Sequence, residues 1–159
     1  MKTFLRSALL AVVTLWIVGA GAGAAEIASH RASYVLSLGT ARTNANITAI
    51  HGGMYIDWHE VCDGWIISQR MRFQIFDGDG EAIESEITFS SWEARDGLSY
   101  RFTMRTARNG EVTEELRGRA QLDGRDKGGK AKFSQPENLE FDLAPGTIFP
   151  TEHSILLIE

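Results

Sequence analysis

Over 159 residues the chain carries 21 acidic and 16 basic side chains, a net charge of −5, with 43% hydrophobic residues and a single cysteine. A net negative chain is excluded from general nucleic-acid binding, whose affinity comes from cations that neutralise phosphates. The same balance argues against adhesion of the whole molecule to anionic lipid headgroups.

The first element, residues 1–25, reads as a secretory signal. Lys2 and Arg6 form its charged start, Ala8 to Ala20 its apolar core, and Gly21-Ala22-Gly23-Ala24-Ala25 its small-residue exit. Cleavage after Ala24 or Ala25 satisfies the small-x-small pattern. The core is shorter than the roughly 20 apolar residues a helical span requires, and no cysteine stands at the cleavage point to take a lipid. The product is expected to be one soluble domain, 26–159, and not an integral membrane protein. It would reside in the periplasm of a two-membrane cell, or outside a one-membrane cell. The signal holds two cations and no acid, so this domain carries 14 basic against 21 acidic side chains, a net −7.

Beyond the signal the apolar residues alternate with period two, the pattern of strands with one buried and one wet face. His30, Ala32, Tyr34, Leu36 and Leu38 share the first face, and Met54, Ile56 and Trp58 the next. Trp65, Ile67, Met71, Phe73 and Ile75 follow, interrupted by Gln69. Ile83, Ile87 and Phe89 make a fourth set, Leu98, Tyr100, Phe102 and Met104 a fifth, and Val112, Leu116, Ala120 and Leu122 a sixth. Asp63-Gly64, Asp77-Gly78-Asp79-Gly80, Asp96-Gly97, Asn109-Gly110 and Asp123-Gly124 stand between them. Such pairs suit tight hairpins, because Gly accepts positive φ and Asn or Asp tolerates it. The reading is an all-β antiparallel meander. Arg125 to Lys132, with four cations, reads as a polar hairpin tip, and 138–143 as a last short strand. After Pro145-Gly146, Thr151 stands before Glu152, His153 and an apolar run. It is expected to N-cap a short helix with Glu152 near its positive end.

The chemistry-bearing residues form no catalytic or metal constellation. His30, His51, His59 and His153 lack the short ligand spacing of zinc sites, His51 and His59 being the nearest pair. Asp77 to Glu81 departs from the calcium loop at Glu81 and Ala82, so turn chemistry explains it better. There is no nucleophile elbow, acid pairs such as Glu84 and Glu86 read as a solvated face, and no cofactor is implied. Asn46-Ile47-Thr48 fits the glycosylation pattern, which is short enough to arise by chance.

Exported cysteines usually pair, and Cys62 has no partner in this chain. It can be a free thiol, a bridge to another chain, or half of a disulfide whose other half lies beyond this sequence. The sequence ends inside an apolar run, Ile155 to Ile158, which favours the third option and a front portion of a longer protein. Reactive thiols sit beside cations or a helix start. Cys62 has Glu60 and Asp63 beside it instead, so it reads as structural.

Three stretches carry a resemblance to the amino-terminal half of the cell envelope integrity EipB family. They are Ser29-His30-Arg31-Ala32 with Tyr34, Leu36 and Leu38; Cys62-Asp63-Gly64-Trp65 with the strand through Arg70; and Pro145-Gly146-Thr147 with Phe149-Pro150-Thr151-Glu152-His153. The resemblance implies a curled antiparallel sheet, a β-spiral or half-barrel similar to the lipoprotein carriers LolA and LolB. It also implies a disulfide in which Cys62 is the first-half cysteine. A half-spiral would expose an unpaired strand edge and a wet apolar face and would be unstable or prone to associate.

Function is expected to follow the resemblance: a non-enzymatic periplasmic protein supporting envelope integrity. It would bind an apolar ligand or another envelope protein through inner-face residues such as Trp58, Trp65, Phe73 and Phe102. The alternative is a dedicated lipid or lipoprotein carrier of the LolA/LolB type. A third class, an enzyme acting on envelope polymers, would need clustered acids or histidines in the cavity, and the alternation puts most of them on the polar face.

Overall fold

The computed structural model describes residues 27–40, 42 and 46–158, so the stretch read as a secretory signal, 1–25, lies outside the described residues. The strands are β1 (His30–Ser37), β2 (Ile47–Val61), β3 (Gly64–Asp77), β4 (Ala82–Ala94), β5 (Ser99–Arg108), β6 (Glu111–Leu122), β7 (Gly129–Gln135) and β8 (Leu139–Leu143). One helix, α1 (Pro150–Leu156), follows. Each strand pairs antiparallel with the next, giving one eight-stranded curled sheet in the order β1 to β8. It stays open, with β1 and β8 as its edges.

The alternation sets the faces. Register rows carry one set of side chains to the same side of every strand. His30 opposes Trp58, Trp58 opposes Ile67, Ile67 opposes Ser91 and Ser91 opposes Phe102. Phe102 then faces Gly118, and Gly118 faces Phe133. The next row runs Trp65, Glu93, Tyr100, Ala120, Ala131, Phe141. This is the apolar face. Gly118 is needed there, because a Cβ at that position would meet the Phe102 ring at 2.8 Å.

The hairpins follow turn chemistry. Asn109 (φ 50°) and Gly110 (φ 81°) both take the left-handed conformation that tight hairpins require. The Asp77 carboxylate accepts from the backbone N–H of Asp79 (3.0 Å) and Glu81 (2.9 Å), bracing the β3–β4 turn.

Two expectations change. The cationic stretch 125–132 is only partly a tip: β7 begins at Gly129, and Lys130 and Lys132 are strand residues paired with carboxylates of β8. The helix begins two residues earlier than read, with Pro150 in its first turn and Phe149 at the N-cap, whose side chain caps nothing. Thr151 lies inside the helix and is buried, 2% exposed. Pro's fixed φ suits a first helical position, and a tertiary contact, described below, replaces the local cap.

Candidate functional site

The apolar face is assembled from aromatic side chains that successive strands deliver in register. Phe149, just before α1, stacks on Tyr100 (ring centroids 5.2 Å), and Tyr100 on Phe102 (5.7 Å). Phe133 meets Phe102 edge-on at 5.5 Å, and Phe141 meets Phe133 at 5.8 Å. Five rings thus form a continuous ladder across β5 to β8, within the range where aromatic pairs attract beyond simple area burial. Its Phe149 end is closed: Tyr100, Ala120, Leu122 and Phe149 are buried together. Its other end is open, with Phe141 51% exposed at the sheet edge.

All four aromatic residues singled out from the sequence lie on this face, but they do not form one cluster. Trp58 and Phe102 occupy the same register row, and Trp65 sits in the adjacent row nearer α1. Phe73 stands toward the opposite end, opposite Gly52 and Ser85. Trp65 is buried, 9% exposed, and borders a depression of about 300 Å³ beside α1. Trp58 is half-buried and stacks on His30 at 6.0 Å. Its indole N–H is buried, and among the described residues it finds no acceptor. Buried polar groups are seldom left so.

Glu93 is the residue that sequence reasoning missed. It continues the period of Ile87, Phe89 and Ser91, so alternation alone puts it on the apolar face, yet a carboxylate there reads as an error. The structure explains it: Glu93 is 3% exposed, and its oxygens accept from the backbone N–H of Thr151 (2.7 Å) and Glu152 (3.1 Å). A carboxylate from β4 thus satisfies the open donors at the start of α1 and binds the helix to the sheet. Burial pushes its protonation upward and outweighs the two backbone donors, which pull it down. The neighbouring Tyr100 phenol is also pushed up by burial.

The opposite face is polar. Arg31 pairs with Asp57 (2.8 Å), Arg72 with Glu84 (3.1 Å), and Arg105 with Glu115 (3.4 Å). A depression of about 770 Å³ opens there, bordered by Ile66, Trp92, Arg101, Arg119 and Lys132 together with Phe102 and Phe133 of the ladder. Cys62 is exposed in the β2–β3 turn. Among the described residues no three His, Cys, Asp or Glu side chains converge as a metal site, and no helix is long and apolar enough to cross a membrane.

The sequence and the fold are similar to those of known proteins. The EipB-like family model matches residues 21–159. The cell envelope integrity protein EipB of Brucella abortus is 31% identical over 154 residues, covering 93% of this chain and 54% of the relative. A crystal structure of a beta-barrel-like protein of a domain of unknown function from Brucella abortus superposes with a TM-score of 0.76 at 28% identity. That match covers 83% of this chain and 54% of the other. The chain therefore spans about half the length of the relatives it matches. With the family model spanning nearly the whole chain and the curled sheet shared, this protein belongs to the EipB-like family.

Proposed function

We propose that this chain is a non-enzymatic periplasmic protein that supports cell envelope integrity by binding an apolar ligand or a protein partner on its aromatic face. The observation that carries the reading is the ring ladder from Phe149 to Phe141, closed at one end and open at the other. Exposed aromatic area of this kind marks interaction surfaces, and ligand sites are mostly apolar with a few placed polar groups. The unpartnered Trp58 N–H is such a group, able to donate to a ligand oxygen. Membership of a family whose curated relative is named for envelope integrity supports the cellular role. The signal read in residues 1–25 supports the compartment, and the family resemblance supports Cys62 pairing with a cysteine outside this sequence.

Titration of the full-length protein with a fluorescent fatty acid tests the ligand reading. Saturable binding is expected, weakened at least tenfold by Phe102→Ser and measurably by Trp58→Phe, which keeps a ring and removes only the N–H. If no apolar probe saturates, the ligand reading fails and cross-linking to envelope proteins becomes the test of the partner reading. A lipid that co-purifies and passes to an acceptor protein would instead favour the carrier reading.

A further inference from the structure

We infer that the polar face carries a phosphate-binding site centred on Arg101 and Arg119. The argument begins with register. Four cations on this face stand opposite a carboxylate on the next strand: Arg31 opposite Asp57, Arg72 opposite Glu86, Arg105 opposite Glu115 and Lys130 opposite Asp142. In one row across β5 to β7 like charges meet instead. Arg101 is directly opposite Arg119, and Arg119 directly opposite Lys132. Like charges placed directly opposite one another destabilise a sheet, so this row costs the fold something that the other rows do not.

Shape and pairing distinguish the row further. Arg101, Arg119 and Lys132 border both the depression of about 770 Å³ and a neighbouring one of about 440 Å³. Arg117 borders the first and Lys130 the second. No Asp or Glu side chain borders either. Lys130 and Lys132 are neutralised from β8 by Glu140 and Asp142. Arg101, Arg117 and Arg119 have no carboxylate within ion-pair distance among the described residues. At one flank Arg101 lies 4.8 Å above the Trp92 ring, a cation–π contact that holds the guanidinium in place. Trp92 in turn donates to Asp63 at 3.3 Å.

Three unpaired guanidinium groups in one open depression, on a chain of net charge −5, fit an oxyanion with several acceptor oxygens. Arg's planar fork bonds phosphate through two parallel N–H donors. Ile66 and Trp92 beside the row offer an apolar shelf for whatever the phosphate is attached to. Both a free phosphorylated molecule and a phospholipid headgroup present this chemistry.

The test is calorimetric titration of the full-length protein with inorganic pyrophosphate at low ionic strength. Saturable binding is expected, weakening as salt is raised because the contacts are exposed and screened. The double variant Arg101→Gln/Arg119→Gln is expected to bind at least tenfold more weakly while keeping or raising its melting temperature, since it removes opposed like charges. Arg105→Gln, a paired cation on the same face, is expected to bind as the native protein does. Flotation with phosphatidylglycerol and phosphatidylcholine vesicles separates the sources. Capture by the anionic vesicles alone, lost in the double variant, assigns the phosphate to a lipid headgroup. Pyrophosphate binding without vesicle capture assigns it to a soluble molecule. If neither pyrophosphate nor anionic vesicles bind, or if the double variant binds like the native protein, the proposal is overturned.

Discussion

The two faces of one sheet hold charge in opposite ways. On the aromatic face the carboxylate of Glu93 is almost fully buried and satisfied by backbone donors, while Glu60 at the rim of the same row stays half exposed and pairs with Arg95. On the polar face many charges stand in solvent and pair side chain to side chain, as Arg31 does with Asp57. The buried group is expensive and few-partnered, so removing it leaves orphaned donors. The exposed pairs are individually weak because water and salt screen them. Stability therefore concentrates on the aromatic face, and the polar face is left free to carry recognition.

The largest expected effect tests that concentration. Phe149→Ala removes the ring that closes the buried cluster over Tyr100, Ala120 and Leu122. It should cost about 3–5 kcal/mol, the usual range for deleting a buried aromatic side chain, read from urea unfolding. A loss no larger than that of a surface substitution would break the comparison.

An intermediate effect is expected at Glu93. Glu93→Ala leaves the Thr151 and Glu152 N–H groups without their acceptor and should cost about 1–3 kcal/mol. Glu93→Gln should cost less, since it gives up charge that burial already disfavours. The pH dependence sharpens the contrast. Glu93 is raised by burial, so its contribution is fully present below the ordinary carboxylate range and is lost as pH rises through the raised value. Asp57 is lowered by the Arg31 hydrogen bond, so its contribution is present above the ordinary range and is lost as pH falls through the lowered value. Unfolding midpoints against pH should therefore change in opposite directions for Glu93→Gln and Asp57→Asn. Parallel profiles would show that the faces do not differ in this way.

The smallest expected effect is at Arg105 and Glu115, paired at 3.4 Å with both side chains over 40% exposed. A double-mutant cycle should give a coupling below about 1 kcal/mol, the norm for exposed pairs. A coupling of several kcal/mol would mean the polar face also anchors the fold.

The strands were legible because a half-buried strand writes its faces into alternate residues. His30 to Leu36 and Leu98 to Met104 announce their sides without any partner. The turns were legible too, since Asn109-Gly110 needs left-handed φ at both positions. Lys130 and Lys132 were misplaced because local composition near Gly128-Gly129 resembles a loop, and only pairing with β6 and β8 makes that segment a strand. Thr151 was misread as the cap because its residue type suits a local N-cap. The actual cap arrives from 58 residues away along the chain.

By itself, then, the sequence determined that the chain is an antiparallel meander with one apolar and one polar side, because side-chain period and turn chemistry are local properties. It also placed Trp58, Trp65, Phe73 and Phe102 on the apolar side. What the tertiary structure alone decided is which residues from different strands meet: Glu93 with the start of α1, Phe149 with Tyr100, and Arg101 with Arg119 and Lys132. The reason is register. A shift of one residue in any pairing would leave each strand's pattern readable and yet exchange every cross-strand neighbour.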